Sequence, residues 1–262
     1  MSELSLFDLT GKKAVVVGGA GGIGQAIAEG LAEAGAAVMI SSRKEGALQR
    51  AQKEIKEKTG LDILYKAGDA SVESDVMELL TAAVAEMGTV DILVNSQGFN
   101  KKFPATEFPE DVFTQMYEAN VKSLMLTCKH FGKYMKEHDI HGKIINVGSV
   151  RGIRAVGNGG LGNMGYCTTK GAVEMLTKGF ASELRPNIQV NAIGPTLTYT
   201  PMMVGILPDD EEKRNGMAAA MPGMRIGYPE DCKGPAVFLA SKASDFVTGS
   251  TIYPDGGLTA IG

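Results

Sequence analysis

KAVVVGGAGGIG, residues 13–24, carries an apolar strand candidate directly into a run of glycines. The next residues, Gly22–Ala34, have apolar side chains at the spacing of an amphipathic helix. A strand, a glycine turn and a helix start in this order present backbone N–H groups to a phosphate without side chains in the way. The glycines fit two spacings, GxGxxG (Gly19, Gly21, Gly24) or GxxxGxG (Gly18, Gly22, Gly24). The stretch predicts a dinucleotide-binding turn, with an ordinary tight strand–helix turn as the alternative.

Short apolar runs alternate with longer amphipathic stretches along the rest of the chain. The strand candidates are Lys13–Val17, Ala37–Ser41, Ile63–Lys66, Asp91–Asn95, Lys143–Val147, Ile188–Ile193 and Thr251–Tyr253. The helix candidates are Gly22–Ala34, Glu45–Thr59, Val72–Met87 and a stretch from Tyr166 through Leu184. Because strands that alternate with helices form right-handed βαβ units, the pattern predicts a parallel sheet in one three-layer α/β domain over residues 1–262.

Composition and charge narrow the class of protein and its location. A net charge of −4 without a long basic run argues against non-specific nucleic-acid binding. The three cysteines (Cys128, Cys167, Cys232) have neither metal-ligand nor disulfide spacing, which indicates a reducing compartment and no metal site. The first residues lack the apolar core of a signal peptide, and no apolar run reaches the ~18 residues of a membrane span. We therefore expect a cytoplasmic protein without a membrane partner.

The end of the second strand candidate predicts which dinucleotide binds. NAD-binding proteins usually place Asp or Glu about 20 residues after the glycines, on the ribose 2′-hydroxyl. Here the chain has Ser42, Arg43 and Lys44 instead. Ser42 leaves room for a 2′-phosphate that a carboxylate would repel, and Arg43 can stack on adenine and pair with the phosphate. This pattern favours NADP(H), and a solvated helix start is the alternative.

A hydroxyl, a phenol and an ammonium form the catalytic candidate. Ser149 follows the strand candidate Lys143–Val147, and Tyr166 and Lys170 lie four residues apart on one predicted helix face. A nearby ammonium favours the phenolate, so we expect Lys170 to lower the Tyr166 pKa toward a useful acid/base range. Tyr-x-x-x-Lys pairs also occur by chance on exposed helices. Here the pair follows a serine at a strand end and a dinucleotide-binding half, and this order favours a catalytic site.

Taken in order, these motifs resemble those of the short-chain dehydrogenase/reductase family over essentially the whole chain. The resemblance rests on the GxxxGxG glycines, Asp69-Ala70, Asn95-Ser96-Gln97-Gly98, Asn120, Ser149, Tyr166 with Lys170, Pro195-Thr196, Thr200, Val247-Thr248-Gly249 and Tyr253–Gly257. It implies a Rossmann-type, doubly wound α/β/α fold and an NADP(H)-dependent oxidoreductase that acts on CH–OH groups. It also implies a homotetramer.

The resemblance also implies a role for each site residue. Tyr166 gives a proton to the carbonyl in reduction and removes one in oxidation, and Ser149 holds the substrate oxygen. Lys170 binds the nicotinamide ribose, and Asn120 anchors a water that relays protons. The cofactor contacts implied are Gly18, Gly22, Ile23, Gly24, Ser42, Arg43, Lys44, Asp69, Ala70, Asn95, Gln97, Gly98, Tyr166, Lys170, Pro195, Thr196, Thr198 and Thr200.

The chain departs from the family pattern in four places. Val17 replaces the threonine before the glycines, Gln97 a small residue, and Thr196 a glycine. The spacing from Ser149 to Tyr166 is also longer than usual, and the extra glycine-rich segment 157–163 predicts a loop beside the substrate.

Two segments bear on the substrate. Lys101 and Lys102 before Pro104 resemble the basic pair of gluconate 5-dehydrogenase-like members, and with Arg151 and Arg154 they are candidates to bind a carboxylate. Two lysines that merely face solvent are the alternative. The methionine-rich segment at about 200–225 predicts a substrate lid, which suits an apolar ketone unless its methionines pack on the core.

We therefore expect a sugar acid or polyol as substrate, with Lys101, Lys102, Ser149, Arg154 and Tyr166 as its contacts. A bulky apolar ketone such as a steroid is the nearest alternative. A protein that senses NADP(H) without turnover is an alternative of another class, and the complete set of catalytic candidates argues against it. An isomerase or dehydratase of the family's extended branch is less favoured, because that branch has a longer C-terminal substrate domain.

Overall fold

A computed structural model describes residues 3–155, 163–200, 203, 207–219 and 221–261. Residues 157–162 of the predicted glycine-rich loop lie outside the described residues. So do residues 201, 202, 204–206 and 220 of the predicted lid.

The described residues form one parallel sheet of seven strands. These are β1 (Lys13–Val17), β2 (Ala37–Ser42), β3 (Leu64–Ala67), β4 (Ile92–Asn95), β5 (Gly142–Val147), β6 (Ile188–Ile193) and β7 (Thr251–Ile252). Their spatial order is β3-β2-β1-β4-β5-β6-β7, and every neighbouring pair is parallel. The chain therefore changes winding direction between β1 and β4, and ligands bind at such a switch point in open α/β sheets. The predicted doubly wound fold is confirmed.

Helices cover both faces of this sheet. They are α1 (Gly22–Glu33), α2 (Glu45–Thr59), α3 (Glu73–Met87), α4 (Glu110–Tyr117), α5 (Ser123–Glu137), α6 (Met164–Glu183), α7 (Glu211–Gly216) and α8 (Lys233–Ala240). None of the helices in the described ranges is both long enough and apolar enough to span a membrane.

Alternate side chains of β1 enter two separate cores. Val16 belongs to the apolar cluster that contains Ile27 of α1, whereas Val15 belongs to the cluster that contains Phe131 of α5. Successive strand residues point to opposite faces, so both faces of β1 must be covered by apolar neighbours. This arrangement is the predicted three-layer architecture, and it leaves the carboxyl ends of β1, β4 and β5 to build a site.

Candidate functional site

The glycine turn after β1 packs closely against the end of β4. Gly18 has a φ of 79°, and a Cβ there would lie 2.6 Å from the main chain of Ser96 and Gln97. A Cβ on Gly24 would lie 2.2 Å from the carbonyl oxygen of Gly18. Both positions therefore require glycine, and both belong to the GxxxGxG spacing. By contrast, a Cβ on Gly21 would meet nothing within 4 Å, so the turn has open space beside it.

The start of α1 supplies the electrostatics of an anion site. Its first turn contains no acidic side chain, and no side chain of the described residues caps its free N–H groups. The positive end of the helix dipole is therefore not neutralised by the chain itself. Thr200 approaches the turn from the other side, because a Cβ on Gly22 would lie 3.3 Å from its side chain. The cradle fits a pyrophosphate.

The residues predicted to choose the nucleotide gather at the ends of β2 and β3. Ser42 is the last residue of β2, its carbonyl oxygen accepts a hydrogen bond from Gly68 N at 3.1 Å, and Arg43 is exposed. Burial raises the pKa of Asp69, but hydrogen bonds from Ser71 and the charge of Arg43 outweigh it, so this pKa lies below its ordinary value. Arg43 is thus within electrostatic reach of Asp69, and no carboxylate stands at the end of β2 itself.

Ser149 and Tyr166 meet beside the end of β5. Ser149 is buried, its Oγ accepts from Arg151 N at 3.1 Å, and it lies 3.4 Å from the Pro195 carbonyl oxygen, to which it donates. A hydrogen bond with the Ser149 hydroxyl also acts on the Tyr166 phenol, whose pKa it lowers. The two hydroxyls therefore lie together, and a substrate oxygen bound between them would receive the Ser149 hydrogen once it turns from the Pro195 carbonyl oxygen.

Lys170 lies one helical turn further along α6 and is buried. Its Nζ donates to the carbonyl oxygen of Val147 at 2.7 Å and lies 5.7 Å from the centroid of the Tyr166 ring. Burial lowers the pKa of Lys170 to about 8, although the charge of Glu174 opposes that effect. The predicted convergence of the phenol and the amine on one helix face is what the structure has.

We expected neighbouring groups to lower the pKa of Tyr166, and for the protein groups alone this expectation is wrong. Burial raises this pKa to about 12, and the hydrogen bond with Ser149 and the charge of Arg151 lower it only in part. The physical reason is that loss of hydration disfavours the phenolate more than its neighbours favour it. The Lys170 amine is itself desolvated and donates to a neutral carbonyl.

Asn120 fixes the loop that follows β4. It lies in a π-helical turn, Glu118–Lys122, that joins α4 to α5. Its Oδ1 accepts from Phe99 N at 2.7 Å, and its Nδ2 donates to Phe99 O at 2.9 Å and to Thr169 Oγ1 at 3.0 Å. Both amide hydrogens are therefore in use, and a water held here would have to donate to the amide oxygen. The predicted relay water stays a prediction.

The predicted cofactor residues after β4 separate into two groups. Asn95 is buried in the core, where its Nδ2 donates to Asn146 Oδ1 at 2.9 Å and its Oδ1 accepts from Thr127 at 2.7 Å. Its side chain therefore does not face the crevice, contrary to expectation. Gln97 donates to Ser123 Oγ at 3.2 Å, and its Oε1 is buried without a partner in the described residues. The main chain of Gln97 lies beside Gly18, and an acceptor without a partner on this residue fits the carboxamide of a nicotinamide.

The segment after β6 spans from Ser149 to the glycine turn. Pro195 O accepts from Val150 N at 3.1 Å, and Thr198 Oγ1 donates to Thr196 O at 2.9 Å. The segment thus encloses the crevice opposite β4. The remaining predicted cofactor residues, Ile23 and Ala70, are partly buried against the two apolar cores, and Lys44 is exposed.

The predicted substrate residues differ in whether their charged groups already have partners within the protein. Lys101 and Lys102 are exposed, and the described residues offer neither of them an ion-pair or hydrogen-bond partner. Arg154 instead donates through Nη1 to the main-chain carbonyls of Leu258 and Ile261, so part of its guanidinium holds the C-terminal segment. Only the other N–H groups of Arg154 could still contact a substrate, so this contact stays a prediction.

The described part of the lid segment has a small core of its own. Leu207, Ala218, Met221 and Ile226 are buried together, and Met203 packs against them. Met217 and Met224 are exposed. Met203 and Met221 therefore pack in an apolar cluster that also includes Leu258, which agrees with the alternative that the methionines are packed rather than free to meet a substrate.

Sequence reasoning missed Glu174, which is buried behind the site. It lies four residues after Lys170 on α6 and is 7% exposed. The repeated spacing Tyr166–Lys170–Glu174 is visible in the sequence, but a charged residue at that spacing is ordinarily found on an exposed helix face. Its burial follows from contacts with β7, which no local pattern predicts.

Comparisons with known proteins agree with this geometry. A family model described as enoyl-(acyl carrier protein) reductase matches residues 18–259. The 2-dehydro-3-deoxy-D-gluconate 5-dehydrogenase of Formosa agariphila is 34% identical over 98% of this chain and 96% of its own length. The gluconate 5-dehydrogenase of Gluconobacter oxydans is 34% identical over 99% of both chains. The crystal structure of a gluconate 5-dehydrogenase from Burkholderia cenocepacia in complex with NADP and tartrate has a TM-score of 0.89, with 33% identity over 99% of both chains.

Proposed function

We propose, since the chain belongs to the short-chain dehydrogenase/reductase family, that it is an NADP(H)-dependent oxidoreductase that interconverts a secondary alcohol and a ketone on a sugar acid. One observation carries the proposal. The Ser149 hydroxyl lies close enough to the Tyr166 phenol to lower its pKa, and Lys170 Nζ lies 5.7 Å from the centroid of the Tyr166 ring, one turn away on the same helix. These three residues lie at the same carboxyl edge of the sheet as the glycine cradle.

NADP(H) supplies and accepts the hydride when it is bound. The cradle of Gly18, Gly22 and Gly24 with Ile23 at the start of α1 would hold the pyrophosphate. Ser42, Arg43 and Lys44 would receive the 2′-phosphate, and Asp69 with Ala70 the adenine. The nicotinamide end would lie among Gln97, Gly98, Pro195, Thr196, Thr198 and Thr200. The open space beside Gly21 and the orphaned Gln97 oxygen support this assignment.

Tyr166 moves the proton at the substrate oxygen. A pKa of about 12 keeps the phenol protonated at neutral pH, so Tyr166 is ready to give its proton to a carbonyl oxygen during reduction. Ser149 donates a hydrogen bond to the same oxygen and fixes its place. Lys170 is the acid that returns a proton to the phenolate. Asn120 lies next to it through Thr169 and would anchor a water that relays protons from solvent.

A sugar acid is the substrate class that the observations favour. Relatives along nearly the whole chain are named for gluconate or deoxygluconate dehydrogenases, and the neighbouring crystal structure holds tartrate, a hydroxylated dicarboxylate. Lys101 and Lys102 offer two exposed ammonium groups beside the Gly98–Phe99 loop, and neither has a partner in the described part of the chain, which suits a carboxylate. These observations do not favour a bulky apolar ketone or a non-catalytic sensor.

A homotetramer in the cytoplasm completes the proposal. A depression between α5 and α6, lined by Met125, Phe180 and Leu184 among others, leaves apolar surface open on the monomer. Phe246, before β7, is fully exposed. Apolar surface of this kind is expected where copies of a chain associate.

The proposal is tested by following NADPH consumption with three panels of ketones: keto sugar acids, uncharged keto sugars and apolar cyclic ketones. We expect keto sugar acids to have the highest kcat/KM. Replacing Lys101 and Lys102 together by alanine should raise KM for the acids about tenfold and leave the uncharged keto sugars unchanged. Activity confined to apolar ketones, or an unchanged KM in the double variant, would contradict the proposed substrate class.

A further inference from the structure

Helix α6 carries a third ionisable group in line with the two of the proposed site. Tyr166, Lys170 and Glu174 follow each other at four-residue intervals, which places them along one helix face. Glu174 is 7% exposed and Lys170 is 5% exposed. Two opposite charges therefore lie one turn apart in the protein interior, and neither the proton transfer nor the cofactor cradle explains the second one.

The Glu174 carboxylate is tied to the last strand by only one of its oxygens. Its Oε2 accepts from Thr251 Oγ1 of β7 at 2.6 Å. Its Oε1 is buried and has no hydrogen-bond partner in the described residues. A buried carboxylate oxygen without a hydrogen bond is costly, so a structural link to β7 alone does not account for a charged side chain here.

Two glycines allow this carboxylate to come close to the catalytic segment. A Cβ on Gly148 would lie 3.0 Å from Glu174 Oε1, and a Cβ on Gly152 would lie 3.0 Å from its Cγ. Because these glycines flank Ser149, the carboxylate lies directly behind the main chain that presents the catalytic hydroxyl.

We propose that Glu174 is a positioning residue whose buried negative charge holds Lys170 in its ammonium form and thereby sets the acidity of the Tyr166–Lys170 pair. The inference rests on the proposed function, because it concerns the proposed catalytic lysine. Among the described residues no carboxylate lies within the 4.0 Å of an ion pair with Lys170, whose Nζ contacts a neutral carbonyl instead. The countercharge that a buried ammonium requires must therefore act through space.

The direction of the effect agrees with the electrostatics. Burial lowers the pKa of Lys170 to about 8, and the charge of Glu174 opposes that fall. Without Glu174, the pKa of Lys170 would therefore lie lower still.

Other ionisable groups around the carboxylate do not replace it. Tyr253, after β7, faces Glu174, and burial, the Glu174 charge and the polar contact with its carboxylate raise the pKa of Tyr253, so it is a neutral phenol at physiological pH. Arg151, after β5, acts on Tyr166. Lys170 is thus the cation on which the Glu174 charge acts.

The test compares Glu174→Gln with Glu183→Gln, an exposed carboxylate on the same helix. Glutamine keeps the shape of Glu174 and an oxygen for Thr251 but removes the charge. The Lys170 titration is followed by NMR of protein labelled at the lysine Cε, with Lys170→Met to assign the resonance, and the pH profile of kcat/KM for ketone reduction is recorded. We expect Glu174→Gln to lower the Lys170 midpoint and the alkaline limb of the profile by about one pH unit. Glu183→Gln should move neither.

The outcomes separate this inference from the proposed function. A folded Glu174→Gln protein with an unchanged Lys170 midpoint overturns the role of Glu174, whatever the activity. Full turnover in Tyr166→Phe overturns the proposed function, while the NMR titration still decides the effect of the charge. If Glu174→Gln does not fold, Glu174→Asp withdraws the charge by one methylene, and it should move the midpoint in the same direction by a smaller amount. An unmoved midpoint in that variant also counts against the inference.

Discussion

Replacing Lys170 by methionine measures how much the buried amine lowers the free energy of unfolding. Burial lowers the pKa of this amine from 10.5 to about 8, and a difference of this size corresponds to about 3 kcal/mol of unfavourable ionisation in the folded protein. Methionine fills a similar volume and removes the charge, but it also removes the hydrogen bond to the Val147 carbonyl, which is worth about 1 kcal/mol. The variant should therefore be about 2 kcal/mol more stable at pH 7.

The sign of this effect depends on pH. The unfolded chain keeps the Lys170 proton up to its ordinary pKa of 10.5, whereas the folded protein loses it near 8. The folded wild type is thus penalised fully below pH 8, and the penalty disappears as the pH rises to 10.5. Above that pH, only the lost hydrogen bond distinguishes the variant, which should then be slightly less stable.

The assay is urea unfolding at pH 7 and at pH 10.5, with wild type, Lys170→Met and Lys178→Met. Lys178 is exposed on the same helix and serves as the control, for which we expect no change at either pH. Destabilisation of Lys170→Met at pH 7 would refute the reasoning, as would a gain of equal size at both pH values.

Three further changes probe the cradle, the nucleotide preference and the C-terminal segment. Gly24→Ala puts a Cβ 2.2 Å from a carbonyl oxygen, so calorimetry should show more than about tenfold weaker NADPH binding, whereas Gly46→Ala, with open space around it, should bind normally. Arg43→Ala should reduce the preference for NADP over NAD about tenfold in kcat/KM, and an unchanged ratio would remove Arg43 from this role. Arg154→Ala should speed proteolysis of residues 258–261, because two main-chain contacts are lost, and unaltered cleavage would contradict that clamp.

Much of the fold was predictable because buried parallel strands have continuous apolar sequences. β1, β6 and α2 have the predicted bounds, and the other predicted elements differ by one or two residues at one or both ends. The helical region 110–137 was not predicted, and its burial pattern explains why. Buried apolar positions pass from Met116 to Val121, because the buried residue between them is the polar Asn120, so the apolar helical pattern is broken at the π-helical turn.

The site was predictable where its geometry is local. A glycine turn and a pair four residues apart depend on their own segment, so Gly18, Gly24, Tyr166 and Lys170 lie where the motifs place them. Partners from distant segments were not predictable. Arg154 meets carbonyls more than 100 residues away, and Asn95 joins a network with α5 and β5.

The pKa of Tyr166 illustrates the same limit in electrostatics. A sequence shows which charge lies one turn away, but it does not show how far burial removes water from the phenol. In the folded chain the loss of hydration outweighs the neighbouring groups and reverses the expected direction.

The central claim is that the Tyr166 phenol exchanges a proton with the substrate oxygen while the glycine cradle holds the nucleotide. It is tested most directly by Tyr166→Phe, with NADPH binding and NADPH-dependent reduction of a keto sugar acid measured on the same sample. We predict a Kd for NADPH within about twofold of wild type and a kcat lower by about a thousandfold. Turnover near the wild-type rate, with binding intact, would contradict the claim.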